Sequence, residues 1–190
     1  AEEEVLDWRF PVNMSDTAVL ARHEGGAFRD LRKKLARAAR AELTVEPIDI
    51  ERHGRGMLSL GSAWAKADDR SDPDNRISPV LHGITLWRTG IFDLDGFGVR
   101  QQGRVVGFQV WENPLPGCAV ANGLVGIGGT AVTGLAELQE VERAKALTGR
   151  GIGRMCIGGS ETAGLDQFKR KLRPSHSEPL VTLTATAAPR

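Results

Sequence analysis

Aromatic side chains are scarce in this sequence, and tyrosine is absent. The 190 residues include 6 phenylalanines and 4 tryptophans, and aromatic residues make up 5% of the chain. Without tyrosine, no phenol is available as a general acid. The rest of the composition, 41% hydrophobic and 26% charged, is typical of a globular protein that buries a core.

The sequence also lacks an excess of charge of either sign and any long apolar run. Its formal net charge is +1, so a basic surface has to be local if one exists. No run of about 18 apolar residues occurs, which predicts no transmembrane span and no stable membrane insertion. The acidic start AEEEVLDW does not resemble a secretory signal, and we therefore expect a cytoplasmic protein.

Cysteine and histidine are few as well. The two cysteines, Cys118 and Cys156, stand far apart among strand-like residues, and we expect both to be buried free thiols. Free thiols fit a reducing compartment. The 4 histidines show no ligand spacing, so the sequence predicts no metal site.

Hydrophobic periodicity predicts a single domain, 1–190, with three parts. The 1–50 segment begins with a short apolar stretch, Trp8 to Val12, and contains a basic helix with one apolar stripe. That stripe consists of Phe28, Leu31, Leu35, Ala38 and Ala39. The 66–79 segment, KADDRSDPDNRISP, is rich in turn residues and predicts a flexible loop. The 91–186 segment has the clearest strand and helix patterns and predicts the core sheet with its helices.

The order of these patterns indicates the fold class. LTVEPIDIE predicts an edge strand, because Pro47 argues against a central one, and Gly54 to Ala67 predicts a helix. IFDLDGFGVR and RVVGFQVWE flank a turn at QQG and predict a hairpin. GCAVANGLVGIGG, RMCIGG and PLVTLTAT predict three further strands, separated by a helix at Ala131 to Thr148 and by another that Pro174 ends. We therefore expect an α+β fold with a mixed, mostly antiparallel sheet flanked by helices.

This order and several motifs resemble the GNAT superfamily of N-acetyltransferases. The stretch MCIGGSETAGLDQFKRKLRP resembles the end of the Fem-type peptidoglycan aminoacyltransferases, and still more the C-terminal domain of bacterial phosphatidylglycerol lysyltransferases. FRDLRKKLARAARAELTV is similar to the basic helix that precedes the last catalytic domain in those families, and GRVVGFQV resembles the GNAT hairpin strand. The resemblance extends over roughly Trp8 to Thr186, and it implies a GNAT-like fold.

The resemblance also implies a reaction and a catalytic residue. Members of these families move an aminoacyl group from an aminoacyl-tRNA ester to an amine or hydroxyl, and the lysine of a Phe-Lys pair stabilises the developing oxyanion. The matching residue here is Lys169. Helical spacing independently places Lys169 at the border of a buried stripe formed by Leu165, Phe168 and Leu172. The alternative is a lysine that only lies along the edge of the core.

Other polar residues are candidates for binding substrate. The basic helix is a solvated face, or it contacts tRNA phosphates or a membrane surface. The cations of the C-terminal helix are a solvated helix end or contact tRNA phosphates. Residues at element ends line an acceptor pocket or have core and surface roles. The candidates are Arg29, Arg32, Lys33, Trp87, Arg88, Trp111, Asn122, Ser160, Glu161, Phe168 and Arg170. Ser160 is in addition a candidate helix cap. Asp93 and Asp95 share one face of a strand; Asp95 is a candidate catalytic residue that orients the amine, and a solvent-facing pair is the alternative.

A glycine-rich strand exit raises the question of coenzyme A. Gly126, Gly128, Gly129 and Thr130 lie where GNAT enzymes hold the pyrophosphate of that cofactor, and we take them as candidate cofactor-binding residues. The usual Gln or Arg three residues before the first glycine is replaced by Gly123, and no tyrosine exists to protonate a leaving thiolate. Close packing at the strand exit is the other interpretation of these glycines.

These observations lead to one preferred function and two alternatives. The preferred function is an acyltransferase that forms an amide from an aminoacyl-tRNA and a small-molecule amine, with no required cofactor. The first alternative is an acyl-CoA-dependent N-acyltransferase. The second is a non-catalytic GNAT-like domain that binds RNA or another partner.

Overall fold

A computed structural model describes most of the chain. The described residues are 2–67, 83, 85, 87, 89–90, 93–115, 117–159 and 163–184. Arg88, Ser160, Glu161 and residues 68–79 of the predicted loop lie outside them. Within the described part, no helix combines the length and the apolar character that crossing a membrane requires.

Seven strands form one sheet in the order β2-β3-β4-β5-β6-β1-β7. The strands are β1 (Glu2–Asp16), β2 (Leu43–Pro47), β3 (Leu94–Gln101), β4 (Arg104–Glu112), β5 (Val120–Gly128), β6 (Arg154–Cys156) and β7 (His176–Thr184). Among the strands of the described residues, only β5 and β6 pair in parallel, and the other neighbours are antiparallel. The expected mixed, mostly antiparallel sheet is confirmed.

Helices cover both faces of the sheet. They are α1 (Thr17–Arg22), α2 (Arg29–Ala38), α3 (Ile50–Ala67), α4 (Leu135–Gly149) and α5 (Ala163–Lys171). Leu20, Leu31, Leu135 and Leu172 share one core with Trp111 of β4 and with residues of the neighbouring strands. Met57 of α3 packs on the opposite face in a second core with Phe108, Val110 and Ile127. Helices α1, α2, α4 and α5 therefore lie on one face, and α3 lies on the other.

The first strand differs most from the sequence prediction. The sequence indicated only a short apolar stretch, Trp8 to Val12, whereas β1 runs from Glu2 to Asp16 and lies between β6 and β7. Its register shifts between Val5 and Asp7 and again between Asp7 and Val12. Pro11 cannot donate a backbone hydrogen bond in that stretch, and an irregular strand leaves no regular alternation in the sequence.

The basic helix lies close to its predicted position, after a short helix that the pattern did not indicate. Asp16 caps α1 by accepting a hydrogen bond of 2.8 Å from the backbone N–H of Val19. In the α2 region Phe28, Leu31 and Ala38 are buried as expected. Ala39 was expected in the same stripe but is exposed, because the chain changes there to a short 3₁₀ helix, Ala39–Ala41.

The remaining predictions mostly hold. β2 is the edge strand, and β3 and β4 form the hairpin. α4 begins at Leu135, four residues later than expected, after Gly134. The predicted loop at 66–79 begins too early, because Lys66 and Ala67 still belong to α3. Both cysteines are free, but Cys118 is exposed and Cys156 is half-buried, so the prediction of two buried thiols is wrong.

Candidate active site

The sheet opens between its two parallel strands. The pairing of β5 with β6 consists of Val120 with Arg154, Ala121 with Met155 and Asn122 with Cys156. Beyond these pairs β5 continues along β4 to Gly128. The chain after β6 turns to β1 instead, where Ile157 donates to the carbonyl of Asn13 at 2.8 Å. The two chains therefore diverge after Asn122 and Cys156 and leave a V-shaped opening.

Polar side chains of α4 lie beneath this opening and join three strands. Gln139 Nε2 donates to the carbonyls of Phe108 and Ile127 at 2.8 and 3.0 Å. Gln109 Nε2 donates to Glu140 Oε1 at 2.8 Å. These hydrogen bonds fix α4 against β4 and β5 in one specific position, which apolar contacts alone do not provide.

Arg143 extends the same network to β6. Its guanidinium is 2% exposed and donates to Glu140 Oε2 at 2.8 Å and to the carbonyl of Cys156 at 3.2 Å. Arg143 Nε, Gln109 Oε1 and Trp111 Nε1 are buried without a hydrogen-bond partner in the described structure. Buried polar atoms of this kind are costly unless a ligand or water bonds to them.

The glycines of β5 make room for these side chains. A Cβ on Gly123 would lie 2.2 Å from Arg143 Nη1, and a Cβ on Gly128 would lie 2.8 Å from Gln139 Oε1. Gly129 donates its N–H to the carbonyl of Val106 at 2.8 Å. Close packing therefore explains Gly123 and Gly128 without a cofactor. The role of Gly126, Gly128, Gly129 and Thr130 in cofactor binding stays a prediction.

The N-terminus of α4 is poorly suited to a pyrophosphate. Glu137 places a carboxylate, 8% exposed, in the first turn of the helix, and this charge repels a second anion at the same helix end. Helix α2 also packs there, because the carbonyl oxygen of Lys34 lies 2.2 Å from the position of a Cβ on Gly134. Both features disfavour the usual coenzyme A cradle.

Lys169 lies on the β6 side of the opening. It is 7% exposed, and its ammonium donates to the carbonyl of Gly159 and lies 3.3 Å from the position of a Cβ on Gly158. Arg170 and Lys171 point to solvent. Helical spacing placed Lys169 at the border of the buried stripe, and the structure places it inside, next to the two glycines that follow β6.

Asp95 lies far from Lys169. It belongs to β3, which β4 and β5 separate from β6 in the sheet. Its carboxylate accepts the N–H of Gly96 at 2.8 Å and pairs with Arg150, just beyond the C-terminal end of α4. The structure does not bring Asp95 and Lys169 together, so we do not include Asp95 in the candidate site.

The other predicted residues separate into three groups. Asn122 is exposed at the last paired position before the opening. Trp111 is 2% exposed and packs against Phe97 with ring centroids 5.8 Å apart, so it belongs to the core and does not line a pocket. Trp87 and Phe168 are half-buried and pack against the two cores.

The basic residues differ in what they contact. Arg32 donates to the carbonyls of His23 and Gly25 at 2.8 Å each and so holds the turn after α1. Lys33 pairs with Asp30 at 3.6 Å, and Arg170 Nε bonds Asp166 at 2.6 Å. Arg29 is exposed. Arg29 and Lys33 thus lie on an accessible basic face, and Arg32, Lys33 and Arg170 each have a partner in the structure.

The network of Gln109, Gln139, Glu140 and Arg143 was not predicted from the sequence. A signal was present, since Gln139, Glu140 and Arg143 follow helical spacing next to the apolar residues Val141 and Ala144. Nothing in the pattern indicated that this polar face is buried. Among the described residues, no group of three or more His, Cys, Asp or Glu side chains is arranged to hold a metal ion.

Comparison with known proteins identifies the fold. No protein-family profile and no curated protein matches the sequence. A conserved protein of unknown function from Bacteroides thetaiotaomicron superposes with a TM-score of 0.73 at 17% identity, over 93% of this chain and 58% of that one. The C-terminal DUF2156 domain of a proposed lysylphosphatidylglycerol synthetase from Agrobacterium fabrum gives 0.64 at 15% identity, over 90% and 58%.

FemX matches with a TM-score of 0.63 at 13% identity, over 89% of this chain and 60% of FemX. An aminoglycoside acetyltransferase from an uncultured soil sample gives 0.55 at 15% identity, over 77% of this chain and 97% of the enzyme. The chain has the GNAT fold. The expected likeness to the Fem-type and lysyltransferase group is confirmed for the fold. The chain spans between 58% and 60% of the Bacteroides, Agrobacterium and FemX chains.

Proposed function

We propose that the chain is an acyltransferase that moves an aminoacyl group from an aminoacyl-tRNA to an amine and so forms an amide. The observation that carries the proposal is the position of Lys169, a buried cation on the β6 side of the opening between the parallel strands. A preorganised cation of this kind stabilises an oxyanion more strongly than an exposed one, because little water screens it.

In the proposed reaction the amine attacks the carbonyl carbon of the aminoacyl ester. The C–N bond forms, the ester C–O bond breaks, the amine loses a proton and the 3′-oxygen of the tRNA gains one. Lys169 faces the carbonyl oxygen while it carries negative charge. The fold supports this assignment, since a lysylphosphatidylglycerol synthetase domain and FemX are among its structural neighbours.

Two further features favour tRNA over coenzyme A as the donor. The first is the combination of Glu137 and the packed Lys34 carbonyl at the N-terminus of α4, where a pyrophosphate would bind. The second is the accessible basic face of α2, with Arg29 and Arg37 exposed, which suits nucleic-acid phosphates. Arg29 is the first residue of α2 and Arg37 lies in its last turn, so this basic face extends along the whole helix.

The test is transfer of radiolabelled amino acids from bulk aminoacyl-tRNA to a panel of primary amines, scored as a base-stable product. Lys169→Met keeps the length of the side chain and removes its charge. We expect this variant to reduce the rate of transfer by about 10²-fold or more. Lys171→Ala, on the exposed side of the same helix, is the matched control and should keep the wild-type rate. Circular dichroism confirms that each variant is folded.

A wild-type rate in folded Lys169→Met contradicts the role of Lys169. Acetyl-CoA is tested in parallel, because a structural neighbour, an N-acetyltransferase from Thermoplasma acidophilum, was solved in complex with coenzyme A. Transfer from acetyl-CoA but not from charged tRNA would replace the proposed donor. Binding of tRNA without transfer from either donor would favour the non-catalytic RNA-binding alternative.

A further inference from the structure

A second concave site lies on the opposite face of the sheet from α4. It is a cavity of about 550 Å³ between α3 and the tip of the β3–β4 hairpin, within the range of small-ligand pockets. Four arginines line it, Arg52 and Arg55 from α3, and Arg100 and Arg104 from the hairpin. We call it the arginine pocket.

Local structure explains why these arginines converge. Gly56 lets α3 approach the hairpin closely, because a Cβ there would lie 2.8 Å from Val105 Cγ2. The hairpin turns at Gln102 and Gly103, with φ of 48° and 79°, as a two-residue turn of type I′ requires. The turn lies between Arg100 and Arg104, and both residues line the pocket next to the helix.

Arg100 is held in place before any ligand arrives. Its Nε and Nη2 donate to the carbonyl of Gly103 at 3.2 and 2.6 Å, and its Nη1 donates to Glu46 Oε1 at 3.2 Å. A guanidinium fixed in this way loses little side-chain entropy when an anion binds. Arg100 is therefore preorganised on one side of the pocket.

Within the described residues, the arginines of the pocket outnumber the carboxylates that bond them. Glu46 is the carboxylate beside it and already bonds His53, Arg100 and Arg52, at 2.8, 3.2 and 3.7 Å. The side chains of Arg55 and Arg104 have no hydrogen bond or ion pair within the described part of the chain. Four guanidiniums around one cavity repel one another unless an anion lies between them.

We propose that the arginine pocket binds a small molecule through a phosphate or pyrophosphate group. Guanidinium groups form paired hydrogen bonds with phosphate oxygens, and four of them match the several charges of a pyrophosphate. A nucleic-acid strand carries its charges along a line, whereas these arginines surround one concavity. The site is separate from the opening that holds Lys169, so this proposal does not depend on the proposed acyl transfer.

The probe is inorganic pyrophosphate, titrated into the full chain by calorimetry at constant ionic strength. The double variant Arg55→Ala/Arg104→Ala removes the two arginines that do not bond Glu46, and we expect its affinity to fall about tenfold or more. Arg22→Ala/Arg154→Ala removes two exposed arginines that do not line the pocket. This control is matched because it removes the same net charge as the pocket variant. It should bind pyrophosphate within about twofold of the wild type, because it leaves the pocket intact.

Each outcome decides the proposal. Saturable binding that the pocket variant loses and the control keeps supports it, and a comparison with orthophosphate shows whether one or two phosphoryl groups are recognised. No saturable binding by the wild type overturns it, as does an equal loss in both double variants. If the wild type binds a single-stranded RNA but no pyrophosphate, and Arg55→Ala/Arg104→Ala loses the RNA binding, the proposal is overturned in favour of a nucleic-acid surface.

Discussion

Glu46 connects the charge state of a single residue to the stability of the fold. The hydrogen bond from His53 lowers the pKa of this carboxyl below its ordinary value of 4.5, burial acts in the opposite direction, and the guanidiniums of Arg100 and Arg52 lower it further. A carboxyl whose pKa is lowered on folding stabilises the protein at any pH above its unfolded value. That contribution is lost as the pH falls through the folded value.

Glu46→Gln should therefore destabilise the protein at neutral pH and matter less in acid. We expect the difference in unfolding free energy from the wild type to be full at about pH 7 and to shrink below about pH 4.5. Urea unfolding at both pH values measures it. Glu42→Gln, at an exposed carboxylate, is the control, and a Glu46→Gln deficit of the same size in acid would contradict the pKa argument.

At the residue scale, helical spacing came close to the observed burial of Lys169, whereas strand alternation did not indicate the surroundings of Asp95. Helical periodicity relates a residue to its own buried stripe, and the stripe of α5 packs as expected, with Leu172 buried. Strand alternation gives the face on which Asp95 lies but not what covers that face. The covering group is Arg150, 55 residues along the chain, and such a contact has no local signal in the sequence.

At the scale of elements, the crossing of α2 over the start of α4 depends on one glycine. Gly134 has φ of 89°, and a Cβ there would lie 2.2 Å from the carbonyl oxygen of Lys34. A backbone atom cannot turn aside as a side chain can. The basic face of α2 is therefore held beside α4 by a contact that tolerates only glycine.

Gly134→Ala should destabilise the protein by about 2 kcal/mol or more, through its left-handed backbone and the displaced helix. Gly149→Ala, at the other end of α4, is the matched control because no atom lies within 4 Å of its Cβ. We expect that variant to be neutral or up to about 1 kcal/mol more stable. Urea denaturation compares them, and equal stabilities would show that α2 does not press on Gly134.

The elements that the sequence predicted are those with local signals. The β3–β4 hairpin has its turn residues between its strands, and α2 and α5 have one clear apolar stripe each. Helix α4 was predicted, but its buried polar face was not, because Gln139 and Arg143 bond partners on β4, β5 and β6. The position of β1 was not predictable either, since its partners are about 140 to 180 residues away in the chain.

At the scale of the whole molecule, the chain contains the sheet of one GNAT unit. It covers 97% of the aminoglycoside acetyltransferase, but only 60% of FemX. Its first strand lies between β6 and β7, so the two ends of the described chain meet in the sheet. The β6 side of the opening depends on β1, because the N–H of Asn13 donates to the carbonyl of Gly158 at 3.2 Å and the carbonyl of Asn13 accepts from the N–H of Ile157.

Removing residues 1–16 should therefore abolish cooperative folding. β7 would lose the strand with which it pairs, and β6, three residues long, would keep only its parallel pairs with β5.

A synthetic peptide of residues 1–16, added to the truncated chain, should restore a urea transition, because the exposed edges of β6 and β7 can both form hydrogen bonds with it. It should also restore any acyl transfer, because the peptide again fixes Gly158 and Gly159 next to Lys169. A scrambled peptide of the same composition is the control. A truncated chain that unfolds cooperatively by itself would show that β1 only lies on the sheet and does not complete it.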